Sequence, residues 1–464
     1  MTNPRLVEST KILVPALLNL REMKCRGLPV VPVLGLVAWL LAVRIAVAQT
    51  SYAYDIKPTV TASMGDVGGK YFGQTPDPAK VRHYYIAAEP VQWDFMPLGS
   101  DPICGMTPAP NIRAAHTSRK ARYFQYTDAT FSKRVPQSPQ LGILGPVLRG
   151  VVGEYIEITF LNRTALTLSM HPHGVKYDKD SEGSYYGNQI QSNVPDKGNH
   201  PGLGSAIGPS GKFTYVWYCD AESGPLPTEP SSKGWLYHSH VSGEGEINLG
   251  LEGMLIVTDA KRARPDGTPN DVDREMPALF MIFNESQTDP EAYERLSGAP
   301  GQSASNLLSS LPGFPGQKST SAGANASLAA REEGERYAIN GMIYGNLPGF
   351  EMNEGERVRW YLFALGSESD LHTPHWHGLR VIDESIRRTD TVELLPASMK
   401  VADMVPDNPG DWLFHCHVSE HMAGGMFARV TVFPKSKPAA SIAPEKAFLG
   451  FPPPPIGDHS EKSK

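Results

Sequence analysis

Hydrophobic and polar residues alternate in short runs along most of this chain, as in YIEITFLN (Tyr155–Asn162) and FARVTVF (Phe427–Phe433). Alternation with a period of two is typical of half-buried strands. The chain also contains 44 glycines and 41 prolines, which favours many short strands joined by turns. No long amphipathic helical pattern follows the N-terminal region. The pattern therefore predicts an all-β protein.

The N-terminal region has a different pattern. An apolar run, Leu28–Val43, precedes the small residues Ala46-Val47-Ala48. This order is typical of a signal peptide, so residues 1–48 are predicted to be a targeting segment. Met23 is an alternative start that would give a more usual length. An uncleaved membrane anchor is the other interpretation, although the charged Arg44 near the end of the apolar run makes a transmembrane helix less favourable. Either way we expect an exported protein that is periplasmic, cell-surface or secreted.

Two similar units follow each other along the chain. GEYIEITFLN leads to HPHG in the first and GERVRWYLFA leads to HWHG in the second, and later come WLYHSHV and WLFHCHV. Such self-similarity indicates two copies of one structural unit. Short strands in each copy predict two β-sandwiches with Greek-key connections.

Domain limits follow from where the polar and turn-rich segments lie. The first domain is predicted at 81–259, a linker at 260–276 and the second domain at 277–433. Residues 296–330 are rich in Gly, Ser, Ala and Pro and are predicted to be a long mobile loop. We expect a disordered tail at 434–464.

Charge and cysteine content exclude some classes of protein. The net charge is −6, and no basic field indicates a nucleic-acid partner. Of the four cysteines, Cys25 lies in the targeting segment and Cys416 lies between two histidines. Cys104 and Cys219 remain, and an oxidising compartment would allow a disulfide between them. The alternative is two buried free thiols.

Histidines are strongly clustered. Ten of the 14 fall in four small groups. The groups are His171/His173, His238/His240, His372/His375/His377 and His415/His417/His421. Residues i and i+2 of a strand point to the same face, so each His-x-His pair offers two imidazoles on one side. Four pairs offer eight nitrogens, which suits a cluster of three copper ions with open positions for dioxygen.

The segment WLFHCHVSEHMAGGM adds a second site. Cys416 points away from the face that carries His415 and His417, so it predicts a separate copper site across the strand. One thiolate from Cys416, two imidazoles from His421 and His372, and a weak axial sulfur from Met426 match a blue-copper electron-transfer site.

The first unit lacks this second site. Ser239 takes the place of Cys416 in the aligned sequence, and Glu244 and Leu249 take the places of the later His and Met. We therefore expect the first domain to contribute ligands to the copper cluster only.

These motifs resemble the multicopper oxidase family, and the sequence is most similar to the ceruloplasmin and hephaestin subgroup. Further segments that carry the resemblance are LGILGPVLRG, HPHGVKYDKDSEGSYY, YAINGMIYGNLPG and ADMVPDNPGDWLFHCHV. The resemblance runs from about residue 83 to 433. It implies cupredoxin-like domains and four coppers per subunit. The implied ligands are His372, Cys416, His421 and Met426 for type 1; His171 and His375 for type 2; and His173, His238, His240, His377, His415 and His417 for type 3.

Subunit arrangement is also implied. Ceruloplasmin-like relatives have six domains, whereas this chain has two, as in small two-domain laccases. In such relatives the cluster lies between the first domain of one subunit and the second domain of the next. Head-to-tail contacts of this kind close into a ring, so a homotrimer is expected.

The implied reaction oxidises a reductant by one electron at a time and reduces dioxygen to water, with Cys416, His415 and His417 as the catalytic connection. A laccase-like enzyme would oxidise phenols or aromatic amines; a metallo-oxidase would oxidise Mn(II), Fe(II) or Cu(I). Family iron sites place a Glu and a His before the AING motif and an Asp before the second type 1 His. Here Glu332 fits the Glu, Tyr337 replaces the His and Glu420 replaces the Asp. Glu332 and Glu420 are thus candidate metal-ion ligands.

Two alternatives outside the oxidases need fewer ligands. A blue-copper electron-transfer or copper-binding protein would use the Cys416 set and leave eight paired histidines without a role. A two-domain copper nitrite reductase carries its blue copper in the first domain, which contradicts the position of Cys416.

Overall fold

The computed structural model describes residues 56–186, 201–242, 244–285, 334–367 and 369–438. The predicted targeting segment, the predicted loop at 296–330 and most of the predicted tail lie outside the described residues. No helix in the described part of the chain is long and apolar enough to cross a membrane.

Nine strands form the first half of the described chain. They are β1 (Asp66–Gly68), β2 (Val81–Asp94), β3 (Thr117–Tyr126), β4 (Leu148–Val151), β5 (Tyr155–Asn162), β6 (His171–Pro172), β7 (Lys212–Tyr218), β8 (Ser232–His238) and β9 (Glu252–Thr258). Two short α-helices accompany them, α1 (Pro110–Ala114) and α2 (Glu244–Asn248). Single 3-10 turns occur at Ala62–Met64, Pro78–Lys80, Pro139–Leu141, Lys179–Ser181 and Leu203–Ser205.

The second half adds ten strands and one helix in the described ranges. The strands are β10 (Arg274–Asn284), β11 (Glu335–Ile339), β12 (Phe350–Asn353), β13 (Val358–Ala364), β14 (Pro374–Trp376), β15 (Val381–Asp383), β16 (Arg387–Thr389), β17 (Met399–Met404), β18 (Gly410–Cys416) and β19 (Phe427–Phe433). The helix is α3 (Ser419–Ala423). Strand β10 begins inside the segment predicted as a linker, and the domain limits remain a prediction.

Each half consists of two sheets. The four-stranded sheets match in strand order, and the larger sheets match except at one edge, where β1 lies in the first half and β15 and β16 lie in the second. In the first half the orders are β1-β7-β5-β2-β3 and β4-β9-β8-β6; in the second they are β11-β10-β13-β17-β15-β16 and β12-β19-β18-β14. The pairing senses also match: β2–β5 and β10–β13 are parallel, and so are β4–β9 and β12–β19. The prediction of an all-β protein built from two cupredoxin-like sandwiches is confirmed.

Each sandwich buries its own apolar core, and a third cluster joins the two sandwiches. In that cluster Leu236 and Ile256 of the first sandwich pack with Leu279 and Phe363 of the second. All four side chains are fully buried. Because apolar side chains from both sandwiches are buried together, this cluster stabilises one relative placement of the two sandwiches.

Candidate metal centres

Cys416, His372 and His421 meet inside the second sandwich. Cys416 ends β18, His372 lies just before β14, and α3 supplies His421. The Sγ atom of Cys416 lies 3.5 Å from Nδ1 of His421 and 3.8 Å from Nδ1 of His372. The two Nδ1 atoms are 3.1 Å apart. All three residues are buried. The short distances confirm that the structure brings the predicted thiolate and imidazoles together.

A buried carboxylate orients His372. Oδ1 of Asp370 lies 3.2 Å from Nε2 of His372, and Asp370 itself accepts backbone N–H groups from Ile282 and Ser367. Asp370 is 1% exposed. Because Nε2 is engaged by the carboxylate, Nδ1 is left facing Cys416 and His421.

The surroundings favour a thiolate at Cys416. Burial alone would raise the pKa of the Cys416 thiol, but hydrogen bonds with His372 and His421 and with backbone N–H groups lower it to about 6. Met426 is fully buried in the same core, and its carbonyl accepts the N–H of Cys416. A thiolate and two imidazoles fit copper by their donor chemistry, and Met426 adds a thioether to the same core.

A second group of imidazoles lies on the other face of β18. Phe414 and Cys416 belong to the core of the second sandwich, whereas Leu413 packs with the cluster between the sandwiches. Strand alternation therefore places His415 on the face opposite Cys416. This second-sandwich set consists of His375, His377, His415 and His417.

The second-sandwich set is tightly grouped. The Nε2 atoms of His377 and His415 are 3.1 Å apart, and nitrogens of His375, His377 and His415 all lie within 4.8 Å of one another. The His417 ring centroid is 5.3 Å from that of His375. Nδ1 of His375 donates to the Asp390 carbonyl at 2.9 Å, which leaves Nε2 for a metal ion.

A matching first-sandwich set lies on β6 and β8 and in the residues that follow them, and it consists of His171, His173, His238 and His240. The Nε2 atoms of His173 and His238 are 3.1 Å apart, and the ring centroids of His171 and His240 are 5.2 Å apart. Nδ1 of His171 donates to the Glu182 carbonyl at 2.6 Å. His171 and His375 are therefore anchored in the same way: Nδ1 is held by a carbonyl and Nε2 is left to bind.

His173 and His238 of the first-sandwich set and His415 of the second-sandwich set are neutral imidazoles at neutral pH. Burial, together with the neighbouring imidazoles, lowers the pKa of His173 to about 4, of His238 to about 3 and of His415 to about 4. A neutral imidazole keeps the lone pair that a metal ion needs. The two sets therefore fit copper ions by their chemistry.

The two sets do not meet within one chain. Across the described ranges, each ring contact between two of these eight histidines joins members of the same set. His377 and His417 are exposed, and His375 is half-buried. The second-sandwich set thus presents imidazoles to the surface of a single chain.

The first sandwich has a counterpart of the Cys416 site, and the sequence alignment placed two of its residues wrongly. The N–H of Cys416 donates to Met426 and the N–H of Met426 to His421; in the first sandwich Ser239 donates to Leu251, and Leu251 to Glu246. Glu246 and Leu251, not Glu244 and Leu249, are therefore the counterparts. Two extra residues between β8 and β9 cause the shift.

The remaining counterpart is Leu168, whose backbone exchanges hydrogen bonds with Ile207 as that of His372 does with Leu394. The Oγ of Ser239 accepts the N–H of Ser169, just as the Sγ of Cys416 accepts that of Thr373. A set of Leu, Ser, Glu and Leu lacks soft donors, so this pocket is not a blue-copper site.

The predicted reductant site is only partly described. Glu332 lies outside the described residues, and Glu420 is exposed on α3 beside His421. Tyr337 lies against His421, with ring centroids 5.3 Å apart, and its hydroxyl donates to Glu335 at 2.6 Å. The sequence singled out Tyr337 as a replaced histidine but missed Glu335; their spacing of two on a strand was the available signal.

The disulfide considered for Cys104 and Cys219 is absent from the described structure, where Cys104, Cys219 and Cys416 are all free. Cys104 is exposed, and Cys219 is buried in the first core. The alternative of two buried thiols is therefore also wrong for Cys104.

The chain is also similar to known proteins. Residues 317–436 match a family model described as multicopper oxidase. The chain is 33% identical over 371 residues to "Ferroxidase HEPHL1" of Mus musculus, covering 76% of this chain and 29% of that protein. It is 32% identical over 369 residues to ceruloplasmin of Rattus norvegicus, covering 76% of this chain and 32% of that protein.

The chain thus spans about three tenths of the length of these curated relatives. A solved structure described as a multicopper oxidase matches with a TM-score of 0.45 and 20% identity over 76% of this chain and 89% of that one. That likeness is too distant to support an argument about activity. The family model and these sequence relatives show that the chain contains a multicopper oxidase domain.

Proposed function

We propose that this protein is an oxidase that takes single electrons from a reductant and uses four electrons and four protons to convert dioxygen into two waters. The observation that carries the proposal is the segment 415–417. Cys416 faces one donor set while His415 and His417 belong to another. This short stretch of backbone is the covalent connection along which electrons would pass.

The residues that would hold copper follow from the two kinds of donor set. His372, Cys416, His421 and Met426 would hold a type 1 ion. His171 and His375 would hold a type 2 ion, and the type 3 pair would be held by His173, His238, His240, His377, His415 and His417. Bound copper would supply one-electron redox chemistry and a binding place for dioxygen. The carbonyls that accept from Nδ1 keep the rings turned for binding.

A complete cluster requires two chains in this proposal. Each set offers four imidazoles, and the two sets of one chain lie apart. Contact between the first sandwich of one copy and the second sandwich of the next would unite them. Repeated head-to-tail contacts close into a ring, and we propose a homotrimer with three clusters.

The reductant is proposed to be a phenol or aromatic amine, or a divalent metal ion such as Mn(II) or Fe(II). A relative that is named as a ferroxidase supports the metal ion, and the exposed Glu420 beside His421 could contribute a carboxylate oxygen. The N-terminal apolar run supports export to the periplasm, cell surface or medium.

Mixing two inactive variants tests the shared cluster. His173→Ala damages the first-sandwich set, and His377→Ala damages the second-sandwich set. If clusters form between chains, co-refolded 1:1 mixtures should regain about one quarter of the oxygen uptake of the protein without substitutions. Random assembly brings an intact first-sandwich set to an intact second-sandwich set in about one quarter of the contacts. Clusters confined to one chain would give no recovery.

A blue-copper carrier is the second candidate, because the two histidine sets do not meet in one chain. Copper content distinguishes the two. Four copper ions per chain with oxygen uptake support the oxidase; one copper per chain, a monomer in sedimentation and no uptake with a phenol, Fe(II) or Mn(II) support the carrier.

A further inference from the structure

Tyr337 packs directly against a proposed type 1 ligand. Its ring centroid lies 5.3 Å from that of His421, and the ring planes are 35° apart. A Cβ atom on Gly424 would approach the Tyr337 ring to 2.3 Å, so the glycine is what lets the ring lie so close to the segment after α3. His421 is 6% exposed, whereas Tyr337 is half-buried.

Glu335 holds this ring in place. Both residues are on β11, two positions apart, and the Tyr337 hydroxyl donates to Oε2 of Glu335 at 2.6 Å. Glu335 is 9% exposed. A hydrogen bond to a mostly buried carboxylate restricts rotation of the phenol.

We propose that Tyr337 is the specificity-determining residue for the reductant: it covers His421 and selects aromatic reductants, which stack on the Tyr337 ring rather than touch the imidazole. The proposal rests on the proposed oxidase function. It deepens that function by choosing phenols and aromatic amines over divalent metal ions.

The donor chemistry supports this choice. A hard divalent cation requires several oxygen ligands; the Glu420 carboxylate alone does not supply them, and the face of the Tyr337 ring adds none. Oε2 of Glu335 already accepts the Tyr337 hydroxyl. An aromatic reductant, in contrast, gains a ring-to-ring contact worth about two- to tenfold in affinity.

The redox balance is simple. Each phenol loses one electron and one proton, giving a phenoxyl radical. The oxidant is the copper(II) protein, and solvent takes the proton. Four such oxidations supply the electrons that reduce one dioxygen.

The covering role is tested without copper. Metal-free protein is treated with diethyl pyrocarbonate, and modification of each histidine is followed by peptide mass spectrometry, with His116 as the internal reference. Tyr337→Ala should raise the His421 modification rate about fivefold or more, and Tyr337→Phe, which keeps the ring, should restore protection. The covering role would be overturned if His421 reacts freely in the protein that retains Tyr337, or if Tyr337→Ala leaves the His421 modification rate unchanged.

The selecting role is tested on the copper-loaded enzyme. Tyr337→Leu, which keeps an apolar side chain without the ring, should raise KM for a phenol about two- to tenfold and leave KM for Mn(II) within twofold. Tyr344→Leu is the matched control, because Tyr344 packs against Gly425 of the same segment. Equal changes for phenol and Mn(II) would overturn the selection. If the protein without substitutions shows no oxygen uptake, the oxidase function is rejected instead. The diethyl pyrocarbonate experiment on the copper-free protein would still decide the covering role.

Discussion

Glu275→Ala should destabilise the protein strongly, because Glu275 neutralises an arginine buried between the two sandwiches. Arg149 of β4 and Glu275 of β10 form a two-pronged ion pair, and their side chains are 2% and 0% exposed. The Tyr361 hydroxyl also donates to Glu275 at 2.9 Å. Removing the carboxylate leaves a buried guanidinium without the charge that neutralises it.

The expected cost is about 3–5 kcal/mol, the usual range when one partner of a buried pair is removed. For a cooperative unit that contains both sandwiches, roughly 350 residues, the loss corresponds to a fall in Tm of roughly 4–7 °C. Calorimetry on the copper-free protein measures it without interference from metal binding.

Asp273→Ala is the matched control. Asp273 pairs with Arg357 nearby, but these side chains are 42% and 49% exposed. Exposed pairs contribute about 0–1 kcal/mol, so its Tm should move little. Equal shifts in the two variants would refute the reasoning. Replacing both Arg149 and Glu275 by apolar residues should recover most of the loss.

Two further predictions follow from single residues. Cys416→Ser should abolish the blue absorption and oxygen uptake while circular dichroism stays unchanged, and surviving uptake would contradict the proposed electron path. Burial raises the pKa of Tyr84 to about 12, so the folded state keeps a proton that the unfolded state releases near pH 10. The free energy of unfolding should therefore be highest below pH 10 and fall by roughly 2–3 kcal/mol as pH rises towards 12, which urea unfolding at several pH values would measure.

Local periodicity made much of the fold and site predictable. The His-x-His pairs needed only the alternation of a strand to predict shared faces, and the structure groups them accordingly. The repeated units likewise predicted two sandwiches, because each unit carried the same succession of strands and motifs.

Contacts between distant segments were not predictable in the same way. The counterparts Glu246 and Leu251 were missed because two extra residues shift the alignment after β8. Tyr337 and His421 are 84 positions apart, and only the packing of β11 beside α3 brings their rings together. No local pattern encodes that contact.

In the first sandwich, one face of the strand carries proposed cluster ligands, whereas the pocket on the other face lacks soft donors. Glu246 is buried, and its carboxylate accepts N–H groups from Val241 and Ser242 and the Ser242 hydroxyl. These bonds hold the turn that follows His240, where the second sandwich has the proposed type 1 donors instead. Burial raises the pKa of Glu246, and the backbone N–H groups partly offset that rise. The outward pair His238 and His240 can therefore keep its geometry without a metal ion behind it, because protein hydrogen bonds fix the same turn.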